Sequence, residues 1–109
     1  MSSWFELNKT PDGEYNFTLK SESGETLLSS PNYYSKGNAK MDISDVQHSC
    51  GYDALYEKKS EGNQHYFELK TPKRRVLGTS QMFKSAEDRD TALAVVKASG
   101  GTKTTKETF

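Results

Sequence analysis

The side chains best suited to chemistry in this sequence are one cysteine and two histidines. His48 and Cys50 are two positions apart near the end of a predicted helix, where side chains at that spacing point about 200° apart. We therefore interpret Cys50 as a small buried hydrophobic residue and His48 as a surface residue. His65 shares the strand parity of Phe67 and Leu69, which predicts a hydrogen-bonded structural role at the sheet.

No established catalytic or cofactor-binding pattern accompanies these residues. Two histidines and one cysteine are one ligand short of a tetrahedral zinc site. The sequence contains no dinucleotide-binding glycine pattern, no P-loop lysine and no nucleophile elbow. We expect no catalytic residue, no metal and no cofactor, and we interpret the chain as a small non-enzymatic accessory or interaction module.

Strand alternation predicts one uncovered sheet face that carries aromatic and basic side chains. Rings interleaved with lysines on an open sheet are typical of single-stranded nucleic-acid binders, in which bases stack on the rings. Alternatively, cross-strand aromatic pairs stabilise an exposed sheet by about 0.2–1 kcal/mol each. Together with a basic turn, the predicted binding surface consists of Trp4, Lys20, Tyr56, Tyr66, Lys70, Lys73, Arg74 and Arg75.

The basic turn at 73–75 is the densest positive patch in the chain. Lys73, Arg74 and Arg75 would be the first contacts for an acidic partner, although a solvated turn is the more common role of such a run. Fifteen basic residues balance fifteen acidic ones, so the chain lacks the positive charge usual for a nucleic-acid binder. Weak binding of single-stranded nucleic acid is therefore only the alternative hypothesis. The main hypothesis is an interaction module whose partner, possible as a protein, is unidentified.

The elements that would position these side chains begin with paired strands. Residues 4–7 alternate, Asp12-Gly13 is a hairpin signal, and Tyr15, Phe17 and Leu19 share one face of the next strand. Short strands are predicted at 26–30 and, in the second half, at about 54–59, 64–70 and 75–80.

After each third strand the hydrophobic period changes from two to about 3.6. The first predicted helix has the stripe Ala39, Ile43, Val46 and Cys50, with Ser35 as its N-cap and Gly51 at its end. The second helix is predicted to begin at Ser85, which opens a capping box, and to end at Gly100-Gly101. Its stripe contains Ala86, Arg89, Leu93 and Val96, thickened by Ala92 and Val95.

The two halves of the chain are related by an offset of fifty residues. The segment YNFTLKS at 15–21 corresponds to HYFELKT at 65–71, and matches continue from Lys9/Lys59 to Gly51/Gly101. Three strands and one helix of about fifty residues bury only one sheet face, which is marginal for independent stability. We predict an α+β fold for the 109 residues, a single domain of two pseudo-symmetric repeats at about 3–52 and 53–109.

Three segments make the chain resemble the YegP-like family of small bacterial proteins: FTLKSESGETLLSSPNYYSK at 17–36, YEKKSEGNQHYFELK at 56–70 and GTSQMFKS at 78–85. The resemblance implies tandem β-β-β-α-β units that form one antiparallel sheet, with two helices on one face and the last strands exchanged between units. Those last strands would lie near 53–59 and 102–109, although the second segment would otherwise be taken for a disordered tail. The tandem arrangement implies a monomer that contains its own pseudo-dimer.

Two departures from the family pattern fall in the helices. The resemblance implies Gly-Ile near the middle of each helix, where this chain has Asp42-Ile43 and Ala92-Leu93. The Ser-Lys pair that opens the helix is present as Ser35-Lys36 but is replaced by Ser85-Ala86 in the second copy.

Targeting signals are absent from the sequence. No apolar run approaches the roughly 20 residues needed to span a bilayer, and the segment MSSWFELNK lacks the features of a secretion signal. A single cysteine forms no internal disulfide. These features predict a cytoplasmic protein.

Overall fold

The computed structural model describes residues 3–109, and their strands form one sheet of seven. The elements, in chain order, are β1 (Trp4–Lys9), β2 (Tyr15–Lys20), β3 (Thr26–Ser29), α1 (Lys36–Ser49), a 3-10 turn (Asp53–Leu55), β4 (Tyr56–Glu61), β5 (Gln64–Lys70), β6 (Val76–Thr79), α2 (Ala86–Ser99) and β7 (Thr105–Glu107). The α+β prediction is confirmed. No helix in the described part of the chain is long and apolar enough to cross a membrane.

The sheet order is β4-β5-β6-β3-β2-β1-β7. Each helix is followed by a strand that lies in the half of the sheet built around the other repeat: β4 pairs with β5, and β7 pairs with β1. The predicted exchange of last strands is thus confirmed. The prediction of a wholly antiparallel sheet is wrong at one place, since β7 runs parallel to β1. The helix α2 and the following turn carry the chain from β6 to the outer edge of β1, where β7 pairs.

The first hairpin of each repeat differs in length by one residue. Lys9 pairs with Tyr15 across five intervening residues, 10–14, whereas Ser60 pairs with His65 across four, 61–64. Gly13 and Gly62 have φ of 86° and 60°, values that favour glycine in these tight turns. Because side chains alternate along a strand, the missing residue moves every side chain of β4 to the face opposite the one that a fixed offset of fifty predicts.

Both helices begin at their predicted N-caps. The hydroxyl of Ser35 accepts a hydrogen bond from the backbone N–H of Asn38 at 3.1 Å, and that of Ser85 from Asp88 at 3.0 Å. The predicted stripe of α1 is buried throughout. In α2 only part of the stripe is buried, since Ala86 and Val95 are exposed. Val95 instead borders a groove described below.

The core lies between the sheet and the two helices and is shared by the repeats. Helix α1 packs on β1 and β2 and also on β5 and β6, while α2 packs on β5 and on β3. The largest fully buried side chains are Phe5, Leu7, Phe17, Leu19, Leu28, Val46, Phe67, Leu69, Leu77 and Val96. Side chains from both repeats therefore form one continuous cluster.

The C-terminal segment 102–109 is ordered against the first repeat. The backbone N–H of Phe5 donates to the carbonyl of Thr104 at 2.9 Å, and that of Thr108 donates to Leu7 at 3.0 Å. The ring of Phe109 lies edge-on to Tyr15, with 5.7 Å between centroids. The segment is a strand that protects the edge of β1.

Removal of residues 104–109 is expected to lower the free energy of unfolding by about 1–2 kcal/mol, because it removes backbone hydrogen bonds and an aromatic contact. It also exposes the edge of β1 to pairing with other chains. Urea unfolding followed by circular dichroism measures the first effect, and light scattering measures the second. Lys106→Ala, which leaves the backbone ladder in place, is the control, and an unchanged urea midpoint in the truncated protein would contradict the prediction.

Candidate functional site

Trp4 lies on the open sheet face, as predicted, but its ring is not free for stacking. The ammonium of Lys106 lies 4.3 Å from the ring centroid, and the indole N–H donates to the Glu6 carboxylate at 3.1 Å. Lys106 and Glu6 are neighbours in the pairing of β7 with β1. The cation-π contact occupies a face of the indole that a base would need.

The lysines of this face are engaged by neighbouring side chains. Lys70 forms ion pairs with Glu57 and Glu68, the second at 3.8 Å, and Lys20 donates to the hydroxyl of Thr26 at 2.7 Å. Tyr66, in β5, is half-buried. Carboxylates alternate with the lysines, so the face has little net attraction for phosphate.

Tyr56 does not lie on this face, and its assignment to the binding surface is wrong. It is paired with Leu69 across β4 and β5 and packs edge-on to Phe67 at 5.8 Å between centroids. Its hydroxyl donates to the carbonyl of Cys50 at 2.6 Å, and burial raises its pKa. The shorter second hairpin is the physical cause, and it also places Lys58 on the helix side, where it forms an ion pair with Asp90.

The basic turn contains two exposed cations and one that is already paired. Lys73 and Arg74 are exposed, and Arg74 has a φ of 71°, which is uncommon for a residue other than glycine. Arg75 instead donates two hydrogen bonds to the carboxylate of Asp42, at 2.6 and 3.0 Å. It also lies 3.6 Å from Asp45. Of the three predicted anion contacts, Arg75 is therefore already bound to a carboxylate of the protein itself.

Asp42 is the centre of a polar network that joins the repeats. Its carboxylate is 5% exposed, and it accepts a hydrogen bond of 2.6 Å from the hydroxyl of Tyr33 in addition to those from Arg75. Burial alone would raise the pKa of Asp42, but the hydrogen bonds from Arg75 and Tyr33 outweigh it, so the pKa lies below its usual range. The hydrogen bonds to Asp42 are also the main reason that the pKa of Arg75 is raised.

Arg75→Met is expected to lower the free energy of unfolding at pH 7 by about 1–2 kcal/mol, because it leaves a buried carboxylate with one donor fewer on each oxygen. The pKa of Asp42 is lower in the folded protein than in the unfolded chain. Its contribution is therefore present above about pH 4 and is lost as the pH falls through the folded-state value. Urea unfolding at pH 7 and pH 3 measures both effects.

Arg74→Met is the matched control, since it removes the neighbouring exposed cation without touching Asp42. We expect the difference between wild type and Arg75→Met to shrink at pH 3 and Arg74→Met to stay near wild type at both values. Equal losses at pH 7 and pH 3 would show that the Asp42 carboxylate is not the group responsible.

A groove of about 860 Å³ opens between α2 and the turn that precedes β3. We call it the open groove. It is lined by Ser3, Ser21, Glu22, Ser23, Glu25, Thr26, Leu27, Gln81, Phe83, Asp88, Thr91, Ala92, Val95, Ala98, Ser99 and Thr102. Its lining combines an apolar side from α2 and β3 with hydroxyls and carboxylates from the turn and the start of α2.

The open groove is the repeat-related counterpart of the place occupied by Arg75. From β2 onward the strands, caps and helices of the two repeats keep the offset of fifty. Glu25 corresponds to Arg75, and Ala92 corresponds to Asp42. We call the position between α1 and the turn at 71–75, which the Arg75–Asp42 pair occupies, the filled groove. At the open groove neither member of that pair is present.

Two further substitutions change the walls of the open groove. Phe83 replaces Tyr33 and Val95 replaces Asp45. The helix that presents carboxylates to Arg75 in the filled groove therefore presents apolar side chains in the open one. The open groove escaped the sequence analysis, although the difference between Asp42-Ile43 and Ala92-Leu93 was a visible signal of it.

The cysteine and the histidines have the structural roles that the sequence predicts. Burial raises the pKa of the Cys50 thiol, which disfavours the reactive thiolate. The Nδ1 atom of the exposed His48 is 2.8 Å from the carbonyl oxygen of Ser44, and that of His65 is 2.9 Å from the Ser60 hydroxyl. Among residues 3–109, no three His, Cys, Asp or Glu side chains come together as a metal-binding group.

Comparison with known proteins gives the same two-copy organisation. A family described as a domain of unknown function, DUF1508, matches residues 11–57 and again 60–107. The UPF0339 protein YegP of Shigella flexneri is 41% identical over 108 residues, which cover 98% of each chain. A UPF0339 protein of Acinetobacter baylyi is 39% identical over 98% of this chain and 97% of its own. These descriptions name no activity. The repeat boundaries near residues 52 and 53 remain a prediction.

Two solved structures share the fold over nearly the whole chain. The solution NMR structure of the YegP protein of Escherichia coli, described as of unknown function, has a TM-score of 0.93 at 40% identity. It covers 99% of this chain and 94% of its own. A UPF0339 protein of Shewanella oneidensis has a TM-score of 0.92 at 36% identity and covers 98% and 92%. With its two matched copies and this agreement in fold, the chain belongs to the DUF1508 family, in the tandem form of the YegP-like UPF0339 proteins.

Proposed function

We propose that this protein is a non-enzymatic interaction module that binds a ligand in the open groove. The contrast between the two repeats carries this proposal. In the filled groove Arg75 and Asp42 form a bidentate ion pair between helix and turn. The open groove has lost both partners and retains about 860 Å³ of space. The two grooves differ in these side chains, whereas the strands and helices around them keep the offset of fifty from β2 onward.

The dimensions and lining of the open groove suit a small ligand. Ligand sites are commonly concave spaces of about 300–1,000 Å³ lined mainly by apolar side chains with a few polar groups. Here Leu27, Phe83 and Val95 provide apolar surface. The carbonyl of Thr26 accepts a hydrogen bond from the side chain of Gln81 at 2.6 Å, and this contact ties the two repeats together within the groove. The walls are therefore held by both halves of the protein.

The composition of the lining favours binding without catalysis. Among the described residues, the lining includes no histidine, cysteine or lysine side chain. It therefore lacks histidine, the side chain that most often acts as a general base, and the thiol and amine nucleophiles. The buried thiol of Cys50 and both histidines have structural contacts elsewhere. We therefore propose a binding role and no reaction.

Nucleic-acid binding has less support. The cations of the open sheet face are engaged by Glu57, Glu68 and the ring of Trp4, and Arg75 is bound to Asp42. A phosphate backbone would have to displace these contacts, and the chain has no net positive charge with which to attract it.

Glu25→Arg with Ala92→Asp tests the proposal by introducing the ion pair of the filled groove at the open groove. The wild-type protein, labelled with nitrogen-15, is titrated with a set of neutral aromatic and aliphatic fragments while its amide resonances are recorded. We expect fragment-dependent shifts at Leu27, Thr91 and Val95 in the wild type. The shifts should be lost in the rebuilt variant, because the new ion pair occupies the space.

Glu61→Arg with Ala94→Asp is the matched control. It introduces the same two residue types and the same charge change at exposed positions of β4 and α2, outside the groove lining. Binding in this control should equal that of the wild type. The proposal is wrong if fragments fail to shift the groove amides, or if the rebuilt variant binds them as well as the control does.

A further inference from the structure

The charges of the open groove indicate which class of ligand it binds, and this inference rests on the function proposed above. We propose that the ligand is a small organic cation, an apolar body that carries one ammonium or guanidinium group. The body lies against α2, and the cationic group lies beside the carboxylates of Glu25 and Asp88.

The filled groove contains an intramolecular example of this chemistry. Arg75 combines an aliphatic stem with a guanidinium, and its head pairs with Asp42 and Asp45 on α1. There the cation comes from the turn and the carboxylates come from the helix. The protein thus shows that a cationic side chain occupies this position between helix and turn.

In the open groove the acidic group lies on the turn, and none of the lining residues that the structure describes is a lysine or an arginine. Glu25 occupies the position of Arg75, and Asp88 lies near the start of α2. Neither carboxylate has an ion pair with any of the residues from 3 to 109 whose contacts the structure describes. An anionic rim without a basic residue repels anions and attracts cations.

The middle of the helix determines the rest of the ligand. Ala92 and Val95 replace the two carboxylates that face Arg75 in the filled groove. Val95 is 38% exposed, and Phe83 borders the same space. Contact of an apolar group with these side chains removes their hydrocarbon surface from water, which is favourable. A simple metal ion or a fully polar amine would leave this surface uncovered.

Three probes of similar shape and different charge test the inference: 2-phenylethylammonium, neutral 2-phenylethanol and anionic 3-phenylpropanoate. Each is titrated into nitrogen-15-labelled protein at pH 7 and low salt. We expect the ammonium probe to shift the amides of Leu27, Thr91 and Val95 with an affinity at least about threefold that of the alcohol. The anionic probe should bind most weakly.

Glu25→Gln identifies the source of the selectivity. It removes one rim charge at an exposed turn position and should weaken the ammonium probe about twofold to threefold without changing the alcohol. Glu61→Gln, which removes a charge outside the groove lining, is the control and should change neither. Raising the salt concentration should reduce the advantage of the ammonium probe, since exposed charges are screened.

The outcomes separate this inference from the function on which it rests. Equal binding of ammonium and alcohol at the groove amides would overturn the cationic ligand and leave the binding function intact. Tightest binding by 3-phenylpropanoate would do the same. If none of the probes, nor the neutral fragments, shifts these amides, both proposals are wrong.

Discussion

Residues 1–52 and 53–109, produced as separate polypeptides, are expected to show no cooperative unfolding transition. Each half depends on the other for its core: α1 packs on β5 and β6, and α2 packs on β3. Between the halves, β3 and β6 are joined at the single register position Ser29 and Thr79. Most of the mutual stabilisation therefore comes from helices that cover the other half and from β7, which pairs with β1.

Thermal and urea unfolding followed by circular dichroism measure this directly. Each half would expose the apolar face that its partner covers, and a fragment of about fifty residues buries too little surface to offset its conformational entropy. Mixing the halves in equal amounts should restore a cooperative transition whose midpoint rises with concentration. The intact chain, which contains both halves, should behave as a monomer in light scattering with a midpoint independent of concentration.

A cooperatively unfolding monomer of either half would contradict the prediction. A half that forms a homodimer would not contradict the prediction, because a second copy would then cover its exposed apolar face. Sedimentation or light scattering on each half distinguishes these two results.

The sequence predicts the parts of this fold that depend on local pattern. Alternation identified the strands, the change of period identified the helices, and Ser35 and Ser85 marked their first turns. These features succeed because a one-sided core requires period two in a strand and about 3.6 in a helix. The repeat could be recognised for the same reason, since both copies bury one face of the sheet with similar side chains at corresponding positions.

The errors arise where a long-range register decides the outcome. The fixed offset of fifty predicts that Tyr56 lies on the open face. The second hairpin is one residue shorter than the first, so Tyr56 lies on the opposite face. The direction of β7 could not be predicted from the sequence either, because Thr105–Glu107 is exposed and has no alternating hydrophobic pattern. A short edge strand without buried side chains has only backbone hydrogen bonds to specify its partner.

The groove was missed because the sequence comparison concentrated on residues that the repeats share. Its ligand-binding potential depends on positions at which the repeats differ, where Glu25 and Ala92 stand in place of Arg75 and Asp42. In a tandem protein the shared positions maintain the common core, while positions that differ are free to acquire separate roles. The turn of the first repeat and the helix of the second can therefore form an open groove, while an ion pair joins the turn of the second repeat to the helix of the first, without loss of the fold.

Gly100→Ala is expected to lower the free energy of unfolding by about 2–3 kcal/mol, through overpacking at the place where the two helices meet. Cys50 and Gly100 are related by the offset of fifty and are also in contact, so the pseudo-twofold axis passes between them. A Cβ at position 100 would lie 2.7 Å from the Cβ of Cys50 and 2.9 Å from its sulfur. The backbone of Gly100, with φ of −67° and ψ of −13°, is open to any residue, so the expected loss is steric.

Gly101→Ala is the matched control, since a Cβ at that position meets nothing within 4 Å, and we expect a change within about 0.5 kcal/mol. Cys50→Gly removes both side-chain atoms that the new methyl would meet. Combined with Gly100→Ala, it should therefore cost less than the sum of the two single changes, by about 1–2 kcal/mol. Urea unfolding of the four variants gives this coupling. Additive losses would show that the helix ends separate freely, and the close approach of the two repeats at this axis would then not be what limits position 100 to glycine.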